Sequence, residues 1–422
     1  MLTKKSLWSR EVWHPTSDIH GSVNKYLAGK CIVVGLTGSV AVYKSIDMAR
    51  WLIRRGANVI FAATRPVLDF IGEKLLYWAS GTPPIIDMGG EVEHISLMRG
   101  CDGMIVAPAT LSTLSKMAYG VLDNPVSLMA VSFAGQGKPV VVVPAMHYNM
   151  MNSRAFRRVI DLLVQDGIKV IPPIIEEDVA KYPDPALVGR VAAAYLSRGE
   201  DLRGKTVLVT AGATREWLDP VRFISNPSSG RMGVEVAVEA WARGARVVLV
   251  HGAMKVEAPH FVDQVWVNTT RDMMEAVERI VENNKIDIMV ATAAPADYTP
   301  EKTVSEKIRS GKILELKLVP TPKVVKAAFG KVGSLVVFAA ETVESVEDLV
   351  DAAREKMDKY GADVVVANNV ATLGAGFGSD FLDVLLLWRR KDRVIKEVLG
   401  KINKEILARR ILDTVLNVVS EG

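Results

Sequence analysis

Short apolar runs alternate with stretches of helical periodicity along almost the whole chain. In the first half the runs are CIVVGLTG (31–38), ANVIFAAT (57–64), 104–109 and 140–144. Apolar residues recur at helical spacing over 42–55, closed by Gly56 as a C-cap, and over 66–78, 111–119 and 155–165. Strand and helix in strict alternation predict a parallel sheet covered on both faces. Residues 171–203 break this pattern with Pro172, Pro173, Pro183 and Pro185 beside Glu176, Glu177 and Asp178. The alternation then restarts, with strands expected at 207–210, 247–251, 286–291, 334–340 and 363–367. Helices are expected at 234–243, 272–282, 346–360 and 404–419. A hairpin is read at 382–388 and 393–398, split by the charged 389–392. The expected fold class is therefore α/β, with two doubly wound (Rossmann-like) domains on mainly parallel sheets. The organisation read from the pattern is an N-terminal extension at 1–29, a first domain at 30–190, a linker at 191–203 and a second domain at 204–422.

Composition agrees with two cores, since 422 residues with 49% hydrophobic content fill two ordinary domains. A net charge of +4, mixed along the chain, argues against a nucleic-acid or membrane-surface protein but not against a local phosphate site. Cys31 and Cys101 give no disulfide framework and no zinc spacing, and both read as buried packing residues. No run is long enough to cross a bilayer, and 1–29 is too polar for a signal peptide, so the expected location is cytoplasmic.

The most informative stretch is TAGATREWLDPVRFISNPSSGRMG (210–233), which leads from a strand into a helix. Gly212, Ser225, Asn226, Ser228, Ser229 and Gly230 are small residues at a helix N-terminus, where unpaired amides and the helix dipole favour an anion. Arg215 and Arg222 lie within it, and a connection of this length is usually functional. It matches neither a dinucleotide G-x-G-x-x-G nor a P-loop. The plain alternative is an ordinary strand–helix connection with good capping residues.

In the first half, ligands are expected beyond the carboxyl ends of the strands, at Gly38 and Ser39, Thr64, Ala109 and Thr110, and 144–147. Four pieces converge there: GLTGSVAVYKS (35–45), EVEHIS (91–96), APATLSTLSKMAYGVLDN (107–124) and PAMHYNMM (144–151). Ser39, Lys44 and Ser45 are available to a phosphate, Thr110, Ser112 and Thr113 sit at another helix start, and the acids before His94 could hold its proton. Singly, each has a plain reading: His94 on a helix surface, Asn124 as an N-cap, 146–151 as core.

These pieces, in this order, resemble the flavin-dependent cysteine decarboxylases. The whole chain, over roughly residues 28–420, resembles the bifunctional phosphopantothenoylcysteine decarboxylase/phosphopantothenate–cysteine ligases of coenzyme A biosynthesis. The resemblance implies a flavoprotein-type first domain that binds FMN through Gly38, Ser39, Thr64, Ala109, Thr110 and Ser112. It implies His94 as the active-site histidine, and Asn124, Met146 and His147 at the substrate. In the second half, ATAAPADYTPEKTVSEKI (291–308) resembles the ligase's nucleotide loop. Later matches are 338–342, 367–369 and 376–380. The implied nucleotide-binding set is Gly212, Ser228, Ser229, Gly230, Ala291, Ala293, Asp297, Lys307, Thr321, Pro322, Lys323, Val324, Phe338 and Lys356. Asn226 and Lys307 are implied in catalysis, Arg222 at the substrate, and Asp297 at the base or its metal. The implied reaction joins 4'-phosphopantothenate to cysteine, using CTP and Mg²⁺, through an acyl-cytidylate. FMN-dependent decarboxylation of the conjugate to 4'-phosphopantetheine follows. The implied assembly is a homo-oligomer, with trimeric decarboxylase contacts, dimeric ligase contacts and a dodecamer that would satisfy both.

Several positions depart from the family pattern. His147 stands where the substrate motif has asparagine, and Met151 replaces its final aromatic residue. The second of two phosphate-facing lysines falls on Tyr360, beside Lys359. The flap EEDVAKYPDPALVGR (176–190) lacks the proton-donating cysteine, and Lys181 aligns near that position with Tyr182 beside it. The departures leave two further readings, a working ligase with an impaired decarboxylase half and a non-catalytic flavin-binding regulator. A nicotinamide-dependent oxidoreductase, suggested by the doubly wound pattern alone, lacks the glycine fingerprint.

Overall fold

The computed structural model describes residues 13–89, 93–311, 313–376, 378–391 and 393–421. It divides into two compact units, Met1–Gly199 and Glu200–Gly422.

The first unit opens on α1 (Thr16–Ile19), then β1 (Cys31–Leu36), α2 (Tyr43–Ile53), β2 (Asn58–Ala63), α3 (Glu73–Ser80), α4 (Glu93–Gly100) and β3 (Gly103–Ala109). There follow α5 (Leu111–Ala118), α6 (Pro125–Gly135), β4 (Val140–Pro144), β5 (Met146–His147), α7 (Tyr148–Met151), α8 (Arg154–Gln165), β6 (Lys169–Val170), β7 (Ile174–Glu176), β8 (Val179–Lys181) and α9 (Pro185–Arg198). The main sheet runs β2-β1-β3-β4-β6, all parallel. β1, β3 and β4 are buried along their whole length, which is why they read as unbroken apolar runs. α6 has no counterpart in the sequence reading. PVSLMAVSFAG is apolar on every side, so no helical period shows, and the helix is correspondingly buried. The helix expected over 66–78 is split by Ile71 and Gly72 into a 3₁₀ turn, Arg65–Asp69, and α3.

Two expectations are corrected. Cys31 and Cys101 are joined in a disulfide, with Cα atoms 4.4 Å apart. They are 70 residues apart in sequence, but Ile32 pairs with Gly103, so both cysteines stand at the same end of neighbouring strands. The expected linker is helix through Arg198, because Leu187, Val188, Val191, Ala192, Ala194 and Tyr195 form a buried face. The described part of the N-terminal extension follows the end of α2, with amides of Gly21, Val23 and Leu27 bonded to carbonyls of Ile53, Arg54 and Arg55.

The second unit runs β9 (Thr206–Ala211), β10 (Arg215–Trp217), β11 (Phe223–Ser225), α10 (Arg231–Ala242), β12 (Arg246–His251), β13 (Asp263–Trp266), α11 (Thr270–Asn283) and β14 (Ile286–Ala291). It continues with β15 (Tyr298–Pro300), β16 (Leu318–Pro320), β17 (Val332–Glu341), α12 (Val346–Tyr360), β18 (Val364–Asn369), β19 (Phe381–Arg390), β20 (Arg393–Asn403) and α13 (Lys404–Glu421). Its eight-stranded sheet has the order β13-β12-β9-β14-β17-β18-β19-β20, and the closing hairpin β19–β20 adds antiparallel to that edge. α10 and α13 pack their apolar residues on one face of the sheet, α11 and α12 on the other. No helix among the described residues is long and apolar enough to cross a membrane.

Candidate functional sites

In the first unit the strand order reverses between β1 and β3, and the expected flavin residues stand at the carboxyl ends beside that reversal. Thr37 bridges it: its Oγ1 donates to the Pro108 carbonyl (2.7 Å) and accepts from the Thr110 amide (3.1 Å). A Cβ on Gly38 would lie 2.7 Å from Pro66 Cβ, so the turn after β1 has room only for glycine. Ser39 caps the 3₁₀ turn Val40–Val42, Thr64 follows β2, Ala109 closes β3, Thr110 caps α5 and Ser112 is exposed on its first turn. Hydroxyls at the ends of three neighbouring strands, with the α5 N-terminus among them, suit a phosphate-bearing cofactor. His94, on α4, adds a buried Nδ1 with no hydrogen-bond partner among the described residues.

Several expected ligand groups are engaged within the protein. The Lys44 ammonium donates to the Tyr182 carbonyl (2.7 Å), and buried Ser45 donates to the Ala107 carbonyl (2.6 Å). Both oxygens of Glu93 accept from the Gly89 amide, so this acid holds a turn rather than the His94 proton; Glu91 lies outside the described residues. Asn124 is the N-cap of α6, its Oδ1 accepting from the Val126 and Ser127 amides. Met146 is buried, whereas His147 is exposed and accepts the Asn149 amide on Nδ1 (3.3 Å).

The flap is a three-stranded sheet, β5-β8-β7, that binds the substrate motif to the segment aligned with the missing cysteine. On it Lys181 donates to Glu177 (2.8 Å) and Glu176 (3.2 Å). Those hydrogen bonds, first Glu177 and then Glu176, raise its pKa and make it a weaker acid. Tyr182 is buried, and burial pushes its phenol upward.

In the second unit the connection 210–233 is more than a loop. It carries the hairpin β10–β11, where Arg215 and Arg222 are both engaged. Arg215 lies over the Phe223 ring, 4.9 Å from its centroid. Arg222, expected at the substrate, instead clasps Asp219 (2.6 and 3.0 Å) and donates to the Ile308 carbonyl (2.5 Å). Burial alone would raise the Asp219 carboxyl, but Arg222 and the amides of Val221, Ile308 and Arg222 outweigh it and hold it well below the usual carboxylate range. The clasp pins the loop that carries Lys307 through both polar groups of the next residue, while Lys307 itself is exposed.

Beyond the carboxyl ends of β9, β14 and β17 lies a cleft of about 380 Å³. It gathers Asn226, Ser228, Ser229, Gly230, Ala293, Asp297, Phe338 and Lys356 from the expected set. Gly230 has φ +74° and faces Met254, so a side chain would both strain the turn and clash. The Asn226 amide nitrogen donates to the carbonyls of Ala294 (3.2 Å) and Pro295 (2.9 Å), which leaves its oxygen for a ligand. A second cavity of about 150 Å³ shares Ala293, Asp297, Phe338 and Lys356 and adds Ala291, Thr321, Pro322, Lys323 and Val324. Lys356 pairs with Glu341 (3.0 Å) and Lys323 with Asp297 (2.5 Å). No three His, Cys, Asp or Glu side chains among the described residues converge as a metal site. Gly212, at φ +76°, packs on Ala253 and Met254 and is absent from the lining of either cavity. Phe377 lies outside the described residues. Arg231 and Lys404 also line the larger cleft, and the sequence reading missed both. Lys404 looked like one more surface lysine at a helix start, and only the closing hairpin brings it back to the cleft.

The flavoprotein family model matches residues 20–194, and the DNA/pantothenate metabolism flavoprotein C-terminal domain model matches 202–419. The coenzyme A biosynthesis bifunctional protein CoaBC of Thermococcus kodakarensis is 37% identical over 410 residues, covering 95% of this chain and 98% of that protein. The Escherichia coli protein of the same name is 35% identical over 398 residues, covering 89% and 96%. A crystal structure of the C-terminal domain of a CoaBC protein is 32% identical, covers 52% of this chain and 98% of that one, and has a TM-score of 0.41. The chain belongs to the CoaBC family and is a bifunctional enzyme of coenzyme A biosynthesis, a ligase and a decarboxylase in one polypeptide.

Proposed function

We propose that the second unit joins 4'-phosphopantothenate to cysteine with CTP, and that the first unit decarboxylates the conjugate with bound FMN. The observation that carries the ligase reading is the cleft uniting Asn226, Ser228–Gly230, Asp297, Phe338 and Lys356. A carboxylate has no leaving group at neutral pH. Attack of its oxygen on the α-phosphorus of CTP expels pyrophosphate and gives an acyl-cytidylate. Attack of the cysteine amine then forms the amide and expels CMP. This chemistry asks for position and cations rather than a protein nucleophile. In this reading Asn226 orients the acyl-nucleotide, Lys356 faces the phosphates and the smaller cavity takes the base. Lys307, exposed on the loop that Arg222 and Asp219 hold and outside the lining of both cavities, is the cation assigned to the developing charge. Mg²⁺ arrives with the triphosphate, held by phosphate oxygens and water.

In the first unit, Ser39, Thr64, Thr110 and Ser112 would hold FMN, supported by their hydroxyls at the strand ends and the unpaired Nδ1 of His94. Bound there, the flavin supplies reversible hydride acceptance, which gives the electrons left by CO₂ a place to go. His94 handles the proton as the substrate is oxidised, His147 binds near the departing carboxylate, and Lys181 delivers a proton only if the flap releases it from Glu176 and Glu177. Exposed Val40, Tyr43, Tyr119 and Leu122 close to these residues in the chain support completion of the site by another copy. The test is pyrophosphate release from phosphopantothenate, cysteine and either CTP or ATP. Turnover favouring CTP supports the reading, and a preference for ATP overturns the nucleotide assignment.

A further inference from the structure

Lys44, Ser45 and Tyr182 take no part in the steps assigned to the first unit, yet they join the flap to the helix that follows the flavin turn. Lys44 and Ser45 are the second and third residues of α2, shortly after Gly38 and Ser39. The Lys44 ammonium donates to the Tyr182 carbonyl (2.7 Å). Tyr182 is 1% exposed and is among the largest fully buried side chains. Its hydroxyl makes no hydrogen bond among the described residues, and the Ser45 hydroxyl is donated to the Ala107 carbonyl (2.6 Å). Burial pushes the phenol upward against the smaller opposing effect of Ser45, so Tyr182 is a poor acid. What it contributes is packing.

The flap has little else to hold it. From Ile174 to Lys181 only Ala180 is buried, and Ile175, Glu176, Glu177 and Asp178 are all exposed. The β7–β8 turn puts two non-glycine residues in the left-handed region, Glu177 at φ +50° and Asp178 at φ +58°, where a side chain costs energy. The flap meets the substrate motif through two residue pairs, Met146 with Ala180 and His147 with Val179, and through the Tyr148 amide, which donates to the Asp178 carbonyl (2.9 Å). A sheet this small is marginal by itself. Tyr182 follows Lys181 directly and is the large side chain that ties the flap to the body.

We infer that Lys44 and Tyr182 form a latch that fixes the flap on α2, and that both are positioning residues for Lys181. The inference rests on the reading of Lys181 as the proton source and goes beyond it by naming what holds that lysine in place. The last step of the decarboxylase reaction adds a hydride and a proton to the enethiol left when CO₂ departs. The hydride is the one taken earlier by the cofactor, and Lys181 gives the proton and regains one from water. A lysine displaced by about 1 Å or more on a loosened flap serves that step poorly, whereas CO₂ loss precedes it and is untouched.

The test is amide hydrogen exchange of residues 174–184 in the full-length, flavin-loaded protein, read beside mass spectrometry of a single turnover of phosphopantothenoylcysteine. Tyr182→Ala should speed exchange by about 10- to 100-fold, through loss of a buried aromatic anchor, and Lys44→Met by about tenfold. In both, the flavin spectrum and CO₂ release should persist while the product stalls two hydrogens short of the saturated thiol. Tyr182→Phe should keep slow exchange and full conversion, because the hydroxyl has no partner to lose. Lys44→Met leaves the core intact, so the test survives a Tyr182→Ala variant that fails to fold. Exchange that stays slow in Lys44→Met, or fast exchange with full conversion, overturns the latch. A Tyr182→Phe variant that stalls also overturns it, since the phenol would then be the donor. Lys181→Met separates the two levels. Full conversion with slow exchange there sinks the reading of Lys181, while a stall in Lys181→Met without one in Lys44→Met sinks only the latch.

Discussion

The two units put their chemistry at the same place in the fold and finish it differently. Each is an α/β sheet whose strand order reverses at a central strand, β1 in one and β9 in the other, with a glycine turn leading into a helix just beyond. In the second unit that turn faces a cleft walled by its own residues. In the first, the corresponding hydroxyls stand at strand ends with exposed apolar side chains nearby in the chain. The two asparagines show the contrast in single residues. Asn124 spends its oxygen capping α6, whereas Asn226 spends its nitrogen on two carbonyls and keeps its oxygen for a ligand. The same residue type caps the start of a helix in one unit and lines a cleft in the other, and only the partners tell the two arrangements apart.

The sharpest way to break this comparison is to disable one unit and watch the other. Asn226→Asp should lower ligation by about 100-fold or more while the protein stays yellow; unchanged pyrophosphate release would remove Asn226 from the mechanism. His94→Asn should stop CO₂ release by a similar factor, about 100-fold, with flavin retained and ligation intact. Continued CO₂ release would separate that histidine from the flavin chemistry. The disulfide belongs to the first unit alone. Cys31→Ser should therefore destabilise that unit by about 4 kcal/mol, the loop-closure value for a bridge of this span. Calorimetry should show the second unit's transition unmoved; a shared shift would mean that the units do not melt separately.

Lys356→Ala should raise the KM for CTP by about tenfold and leave that for phosphopantothenate unchanged. The smallest effect concerns the clasp. The folded-state pKa of Asp219 is depressed, so its contribution is complete at neutral pH and is lost as pH falls below the ordinary carboxylate range. Proteolysis of the 301–317 loop should rise over that acid window in the wild type, and already at neutral pH in Asp219→Asn. Equal cleavage of both proteins at neutral pH would show that the clasp does not hold the loop.

Both sheets were legible because their central strands are apolar throughout and their helices are not. α6 escaped because a helix buried on all sides has no period to read, and the flap sheet escaped because its strands are two or three residues long. Pairing of Cys31 with Cys101 depends on strand order, which no local pattern carries. In the ligase cleft, Asn226, Ser228, Ser229 and Gly230 were legible because they are contiguous. Arg222 and Lys44 mark a limit of such reading: a cation near a glycine turn reads the same whether it awaits a phosphate or already holds a carboxylate or a carbonyl, as these two do here. Lys404 lies more than 170 residues from Asn226, and only folding brings it to the cleft.

The most direct test of two linked activities is one incubation of the wild-type protein with phosphopantothenate, cysteine, CTP and Mg²⁺, followed by mass spectrometry. The account predicts pyrophosphate, CMP, CO₂ and the decarboxylated thiol 4'-phosphopantetheine, with the cysteine conjugate passing through as an intermediate. Accumulation of the conjugate without CO₂ would contradict the first unit's role and show that the flap without cysteine does not support decarboxylation. Recovery of unreacted phosphopantothenate would contradict the account at its root.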